Sequence, residues 1–522
     1  MAQHNFNPGI GRPEQIARIA VGDLLRRSAS RMPGNIAAVD GERSITYRAL
    51  DQQANRLANH LLSQGAKPGE RTSTICANSI ELLVAIFAIH RAGLIWVPIN
   101  LMLDDEDVQF TLVHAEVSRV IVDRAFADHP NLGQVAKSLG LPLVETEADF
   151  PAAQDQPATE PDVDIDRDDV AAIIYTSGTT SKPKGAMHTH QSIVMAMMSN
   201  AVEWKLDRTD GVTLQLPLFH CGAHCLMLSH IMVGAKVGLM RGFDPELTLK
   251  TIHDNQLTIC VGLPMMYAAM INHPSRAKYS VESLRFCLHT MAPMDAPLLK
   301  KLIADFCPTF MQTSGQTEMY PITTISQPDR QLARFGNYWG EATIVNDMAI
   351  MGDDGSLVAR NQIGELVHRG PNVMLGYYKN PKATAAARAH GWHHTGDLGM
   401  ITDDNEFLFL DRNKDMIKTG GENVSSIQIE EQLLACPQVK AAIVIGIPHA
   451  RWGEAITGFV VLDDGAEPDE QAILAQISVH LGKFQMPKKL IFVDSVPTTA
   501  TGKLRKIEMR QQYADLYADE SA

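Results

Sequence analysis

A chain of 522 residues is longer than one ordinary hydrophobic core supports, so two or more domains are expected. Its composition, 45% hydrophobic and 20% charged, is that of a globular protein rather than a disordered or fibrous one. A formal net charge of −14 argues against a broad basic surface for nucleic acid or anionic membrane, while leaving room for a local site that takes a small anion.

Seven cysteines (Cys76, Cys221, Cys225, Cys260, Cys287, Cys307 and Cys436) form no regular framework, and their odd number points to a reduced, cytoplasmic setting. The start, Met1-Ala2-Gln3-His4-Asn5, lacks the basic-then-apolar pattern of a secretory signal. The most apolar stretch, Leu82 to Ile99, is interrupted by His90-Arg91 and Pro98, so no membrane span is expected.

In chain order, Ser44 to Tyr47 reads as a short strand, with Ser44 or Thr46 placed to start the next element. Leu50, Ala54, Leu57, Ala58, Leu61 and Leu62 share one face of a helix that Gly65 to Gly69 stops. A strand (Arg71 to Ile75), a helix (Ile80 to Ala92) and a strand (Leu94 to Pro98) follow, the alternation of parallel βαβ units. Ala152 to Asp168, rich in Pro, Asp and Gln, reads as a solvated connection.

Val170 to Tyr175 is an apolar strand that runs into Thr176-Ser177-Gly178-Thr179-Thr180-Ser181-Lys182-Pro183-Lys184-Gly185. Hydroxyls, glycines and two lysines without an apolar residue suit a phosphate cradle, because backbone N–H groups can approach the oxygens closely. A polar surface turn has a similar composition, and the loop alone leaves both open. A kinase-type P-loop fits poorly, since Pro183 takes the place of its second glycine and Gly185 that of its Ser or Thr.

Ser192 to Trp204 reads as a helix with Met195, Met197 and Met198 as core filler. Strands then end in polar or small-residue loops at Gln215 to Gly222, at Gly262, at His289-Thr290-Met291-Ala292-Pro293 and at Ser314-Gly315-Gln316-Thr317-Glu318. In open α/β sheets such carboxyl ends converge on one cleft. From Gly364 the texture becomes that of smaller antiparallel sheets, with Asp397 framed by Gly396 and Gly399. Asp411-Arg412-Asn413-Lys414-Asp415 reads as a charged junction with no core-facing residue. Beyond it an α+β tail ends on an exposed polar loop containing Gly502-Lys503.

The hydroxyl-rich loop, the Gly396-Asp397 loop, the charged junction and Gly502-Lys503, in that order across most of the chain, resemble the AMP-forming acyl-CoA synthetase superfamily. The resemblance implies an α/β fold: a large N-terminal domain of layered sheets with a small antiparallel β subdomain (1–410), a hinge (411–414) and a small mobile α+β domain (415–522). It implies ATP (leaving as AMP), Mg²⁺ and coenzyme A, with a carboxylic acid converted first to an acyl-adenylate and then to a thioester. A homodimer is compatible with it.

By the same resemblance Thr176, Ser177, Gly178, Thr179, Thr180 and Lys184 would hold the leaving phosphates. Thr317 would contact the α-phosphate, and Glu318 and Thr179 would bind Mg²⁺. Ser314, Gly315 and Gln316 would border the nucleotide, with Ser314 where an aromatic residue is usual. Asp397 and Arg412 would hold the ribose, and Lys503 would reach the α-phosphate and the acid. Lys414 would be the pivot, and Lys418, Gly420 and Gly421 would approach the thiol channel.

Phe219, His220, Gly222, Ala223, Met266, Met291, Ala292 and Met294 would line the acyl pocket, with His220 beside the carboxylate. No Arg or Lys stands among them, which favours an uncharged acid; adaptable methionines lean the expectation to a medium- or long-chain fatty acid. Aryl or phenylpropenoic acids, loading of a carrier protein, and nucleotide binding without catalysis are the alternatives. His220 to Cys225 crowds four zinc-type donors into one segment, whereas zinc sites draw on separated pairs, so pocket lining is the preferred reading. Ser426 and Gln428 stand where Pro and Glu are frequent in the family.

Overall fold

The computed structural model describes residues 17–176, 182–290, 294, 296–326, 328–330, 332, 337–498 and 504–518. Ser177, Gly178, Thr179, Thr180, Met291, Ala292 and Lys503, all expected above to act in the site, lie outside the described residues. Two compact units divide the chain: one takes in the residues up to Met348 together with His368–His393, the other Ala349–Val367 and the residues from His394 onward.

The first unit holds two sheets with helices packed on them. In one, the strands Ile36–Asp40, Lys236–Leu239, Gly211–Leu214, Ile259–Gly262, Phe286–Thr290 and Phe310–Gly315 lie side by side and parallel. In the other, Leu143–Glu145, Val117–Val122, Arg71–Ile75, Ile95–Pro98 and Val170–Thr176 are parallel, and Lys184–Thr189 then turns back antiparallel. The Ile80–Arg91 helix is buried at every position except Glu81, which explains its apolar sequence: it is a core helix. Its Arg91 is fully buried and donates to Asn55 Oδ1 at 2.6 Å and Asp51 Oδ1 at 2.5 Å. Among the described residues no helix is long and apolar enough to cross a membrane. Thr46 caps the Tyr47–Ser63 helix by accepting from Ala49 N, so that Thr46 takes the role offered to Ser44 or Thr46.

In the second unit, the His393–Ile401 and Phe407–Arg412 strands pair antiparallel. The last hundred residues form a five-stranded sheet around the Val439–His449 and Gly453–Leu462 hairpin. Strand alternation sorts its core: Ala442 and Val444 pack with Ile429, Leu433, Ile473 and Ile477, while Ile443, Ile445 and Ile447 pack with Met509 and Tyr517. The Ser426–Leu434 and Glu470–Ile477 helices thus cover one face and the Lys506–Gln512 helix the other. An α/β body with a smaller α+β part is the expected fold class.

Candidate active site

The phosphate-loop strands form an antiparallel hairpin in which Thr176 stands opposite Lys184, its Oγ1 donating to the Lys184 carbonyl at 3.4 Å. The Gly376–Tyr377 strand adds to the outer side of this hairpin and brings in a residue that the sequence reading missed. Lys184 Nζ lies 4.4 Å from the centre of the Tyr377 ring, and the Tyr377 hydroxyl donates to Glu318 Oε1 at 2.7 Å. One tyrosine therefore orders both the cation and the carboxylate, by cation–π attraction and by hydrogen bonding. The Thr317–Met319 turn is pinned as well: Met374 N donates to Glu318 O at 2.7 Å and Asn372 Nδ2 to Met319 O at 2.8 Å.

Half-buried Glu318 keeps its second oxygen for a ligand. Mg²⁺ commonly takes one or two carboxylates and completes its shell with phosphate oxygens and water, so this donor fits the ion. Among the described residues no group of three or more His, Cys, Asp or Glu is arranged for a metal. The side chains of the His220 to Cys225 segment have other contacts: Cys221 Sγ with Thr317 Oγ1, His224 with Tyr320, and Cys225 Sγ with the Gly222 carbonyl.

Behind the turn the polar groups are held uncharged. His188 Nε2 contacts the Thr317 carbonyl at 2.8 Å, so the proton sits on Nε2, because a carbonyl only accepts. Burial pushes His188 down to about 3, an effect the carbonyl contact partly opposes. Burial does the same to His224, also down to about 3. His224 Nδ1 meets the Tyr320 hydroxyl while its ring packs on Trp96 with centroids 4.3 Å apart. Tyr320 sits at φ 60°, a conformation that bulky side chains rarely adopt, and the contacts from His224 and His188 hold it there. Gly315 is required for a different reason: a Cβ on it would lie 1.4 Å from the Pro321 carbonyl oxygen.

On the acyl side, Phe219 and His220 are half-buried with ring centroids 4.8 Å apart, just before the Cys221–Val233 helix. Gly222, in the first turn of that helix, faces open space, and Ala223 is buried. Met266 is half-buried, and Met294 is buried in the core cluster of Leu299, Leu302 and Phe306. Gln215 closes the end of the Gly211–Leu214 strand, buried, with Nε2 donating to the Val261 carbonyl. That contact fixes the amide orientation and leaves Gln215 Oε1 buried without a hydrogen-bond donor. Ser314 and Gln316 stand at the end of the Phe310–Gly315 strand, and Gln316 Oε1 contacts His393 Nε2 at 3.4 Å.

The second unit carries the remaining expected residues. Asp397, buried, pairs across the strands with Arg412, whose Nε lies 2.8 Å from Asp397 Oδ1. Glu365, another residue the sequence reading missed, sets the loop: it accepts from Gly396 N at 2.8 Å and contacts His394 Nδ1 at 2.8 Å. Thr395, Gly396, Arg412, Asn413 and Lys414 line a groove beside the pair. Lys418 is exposed, and Gly420 and Gly421, at φ 60° and 87°, make the two-residue turn between Thr419 and Glu422. The hairpin itself therefore requires the glycine pair.

Two expectations are overturned: Met198, expected as core filler, is 50% exposed, and the charged junction is not wholly solvated. Asp411 is not on a junction without core-facing residues: it is 1% exposed, and its Oδ2 accepts from Ser426 N at 2.7 Å and Ser426 Oγ at 2.5 Å. A buried carboxylate persists only where donors surround it, and Ser426 supplies two.

A pinned carboxylate and lysine beside the hydroxyl-rich loop, followed by an α+β part, supply the charges that a site for a nucleotide's phosphates needs. Residues 25–378 match the model of the AMP-binding enzyme family and residues 428–503 that of the AMP-binding enzyme C-terminal domain. A feruloyl-CoA synthase of Amycolatopsis sp. is 34% identical over 488 residues, covering 93% of this chain and 98% of that protein. The long-chain-fatty-acid–CoA ligase FadD13 of Mycobacterium tuberculosis is 32% identical over 506 residues, covering 95% and 98%. The crystal structure of ATP-bound MatB from Rhodopseudomonas palustris matches with a TM-score of 0.86 and 29% identity, covering 95% of this chain and 99% of that one. The chain belongs to the AMP-binding enzyme family, within the adenylate-forming acid–CoA ligases.

Proposed function

We propose that this enzyme joins an acid bearing a single carboxylate to coenzyme A, consuming ATP and releasing AMP and pyrophosphate. The observation that carries the reading is the Lys184–Tyr377–Glu318 set, a cation and a carboxylate ordered by one tyrosine beside the phosphate-loop hairpin. In the first half-reaction a carboxylate oxygen bonds to the α-phosphorus as the bond to the pyrophosphate oxygen breaks. Two anions must approach, so neutralising charge at the phosphates is the main demand. Lys184 and the hydroxyl loop meet it on the leaving side, and Lys503 at the α-phosphate. Mg²⁺, held by Glu318 and Thr179, would supply further positive charge.

Asp397 accepts from the ribose hydroxyls with Arg412 beside it. In the second half-reaction the thiolate of coenzyme A attacks the acyl carbon and AMP leaves. Residues 411–414 act as the hinge whose rotation at Lys414 exchanges one step for the other, with Lys418 to Gly421 on the thiol side. The cytoplasm is the compartment that suits seven free, buried thiols.

For the acid, no Arg or Lys stands among the residues expected to line the acyl pocket, so a second carboxylate would lack a cation; dicarboxylic acids are disfavoured and fatty acids remain the first reading. A phenylpropenoic acid is the second, favoured by the buried Gln215 Oε1, to which a phenolic hydroxyl would donate. The test is pyrophosphate release over saturated fatty, hydroxycinnamic and dicarboxylic acids, with and without coenzyme A. Release with fatty or hydroxycinnamic acids, and thioester only with coenzyme A, is expected; dicarboxylic acids turning over fastest would overturn the reading.

A further inference from the structure

We propose that the Lys506–Gln512 helix is a strut joining the Lys503 segment to the hinge, with Ser426 and Lys506 as positioning residues for adenylate formation. The proposal rests on the role given above to Lys503. At the start of the helix, Lys506 is 8% exposed, and its ammonium donates to Ser426 Oγ at 2.5 Å and to Glu430 Oε1 at 2.9 Å. A hydroxyl has one proton and two lone pairs, so accepting from Lys506 directs the Ser426 proton to Asp411 Oδ2. Asp411 completes the link to the hinge backbone by accepting from Arg412 N at 2.7 Å. Glu430 also accepts from Val444 N at 2.7 Å, which ties the cluster to the Val439–His449 strand of the sheet.

Toward its other end the same helix holds the hinge again. Arg510 donates to the Lys414 carbonyl at 3.1 Å and to Asp415 Oδ1 at 2.9 Å. Both contacts fall on residues next to or at the expected pivot. Immediately before the helix, Leu504 forms a bridge with Thr498, and Arg505 N donates to the Pro497 carbonyl at 2.9 Å. Lys503 is three residues from Lys506, so covalent geometry keeps their Cα atoms within about 11 Å. Asp411 before the pivot and Asp415 after it are thus both hydrogen-bonded to the body that anchors Lys503. The Asp411–Ser426 contact spans the pivot and holds one hinge setting, so loosening the strut misplaces the lysine in that setting; an error of about 1 Å at a reacting centre can cost on the order of 100-fold.

The test separates the half-reactions, using whichever acid releases pyrophosphate fastest in the screen above. Adenylate formation is followed by ATP–pyrophosphate exchange, and thioester formation by supplying the synthetic acyl-adenylate with coenzyme A. Ser426→Ala and Lys506→Met should lower the adenylation kcat roughly 10- to 100-fold, leave the ATP KM within about twofold, and leave thioester formation nearly unchanged. Lys506→Arg, which keeps the charge, should recover most of the loss. Ser426→Pro is the second variant: position 426 opens a helix, where proline is accommodated, and it removes both the hydroxyl and the N–H that donate to Asp411. Equal losses in both half-reactions, or full adenylation in folded Ser426→Ala and Ser426→Pro, would overturn the proposal. Lys503→Ala serves as the reference; adenylation at the parent rate in that variant would instead refute the role of Lys503 itself.

Discussion

Around Thr317 and Tyr320 the buried polar groups are imidazoles and phenols kept neutral, whereas around Asp411 they are carboxylates and cations matched against one another. Each arrangement suits what its region is proposed to do. Where a polyanion and its metal must bind, neutral neighbours leave Glu318 and Lys184 free of competing charge. Where an element must be held in place, paired ions give directional contacts that fail sharply when one member is removed. The first region is built to receive charge, the second to hold position.

The strongest way to break this contrast is to remove the first region's working charge. Glu318→Gln preserves shape and can still accept from Tyr377, yet it should lower adenylate formation about 10²- to 10³-fold, measured by ATP–pyrophosphate exchange. Melting unchanged beside such a loss would confirm that the carboxylate serves the substrates; a loss below threefold would mean that Glu318 holds no ion of consequence.

Acid should act next. His224 is held at about 3 in the fold and lies near 6.5 when unfolded, so between those values the unfolded chain binds more protons. Its contribution is complete above about pH 6.5 and is lost as pH falls toward 3, and His188 adds to the same slope. Urea unfolding at pH 7.5 and pH 5 should differ by roughly 2–4 kcal/mol from this pair. His224→Gln should flatten the slope, and an unaltered slope would show that the burial of His224 does not govern it.

The fold and the family-bearing residues were legible because they are local and ordered along the chain. Hydrophobic periodicity marks the Tyr47–Ser63 helix, and the strand ends announce themselves by polar residues following apolar runs. Tyr377 and Glu365 were not legible, since each acts on a partner 30 to 60 residues away, and nothing in a Gly-Tyr-Tyr or Gly-Glu-Leu sequence specifies that partner. Asp411 failed for a related reason. Five charged or polar residues in a row read as solvated, and only the fold brings Ser426, 15 residues on, to bury the first of them. Gly421 is assigned to a channel, and its positive φ in a two-residue turn adds a structural reason for glycine there.

The contrast can be sharpened at its weakest member, the Asp397–Arg412 pair, which joins a buried acid to a cation that is 41% exposed. Arg412→Met removes the charge and keeps most of the side-chain bulk. Because solvent already screens Arg412, the effect should stay well below that of breaking a buried pair, about 3- to 10-fold in ATP KM. Asp397 would remain buried with one fewer cation beside it, so the change should fall on the ATP KM with kcat held. Raising ionic strength should weaken ATP binding in the parent more than in the variant, since salt screens an interaction that the variant lacks. If the KM is unmoved, Arg412 is a spectator and Asp397 alone holds the ribose, which would place the second region's reliance on paired charge in the Asp411 cluster rather than at the nucleotide.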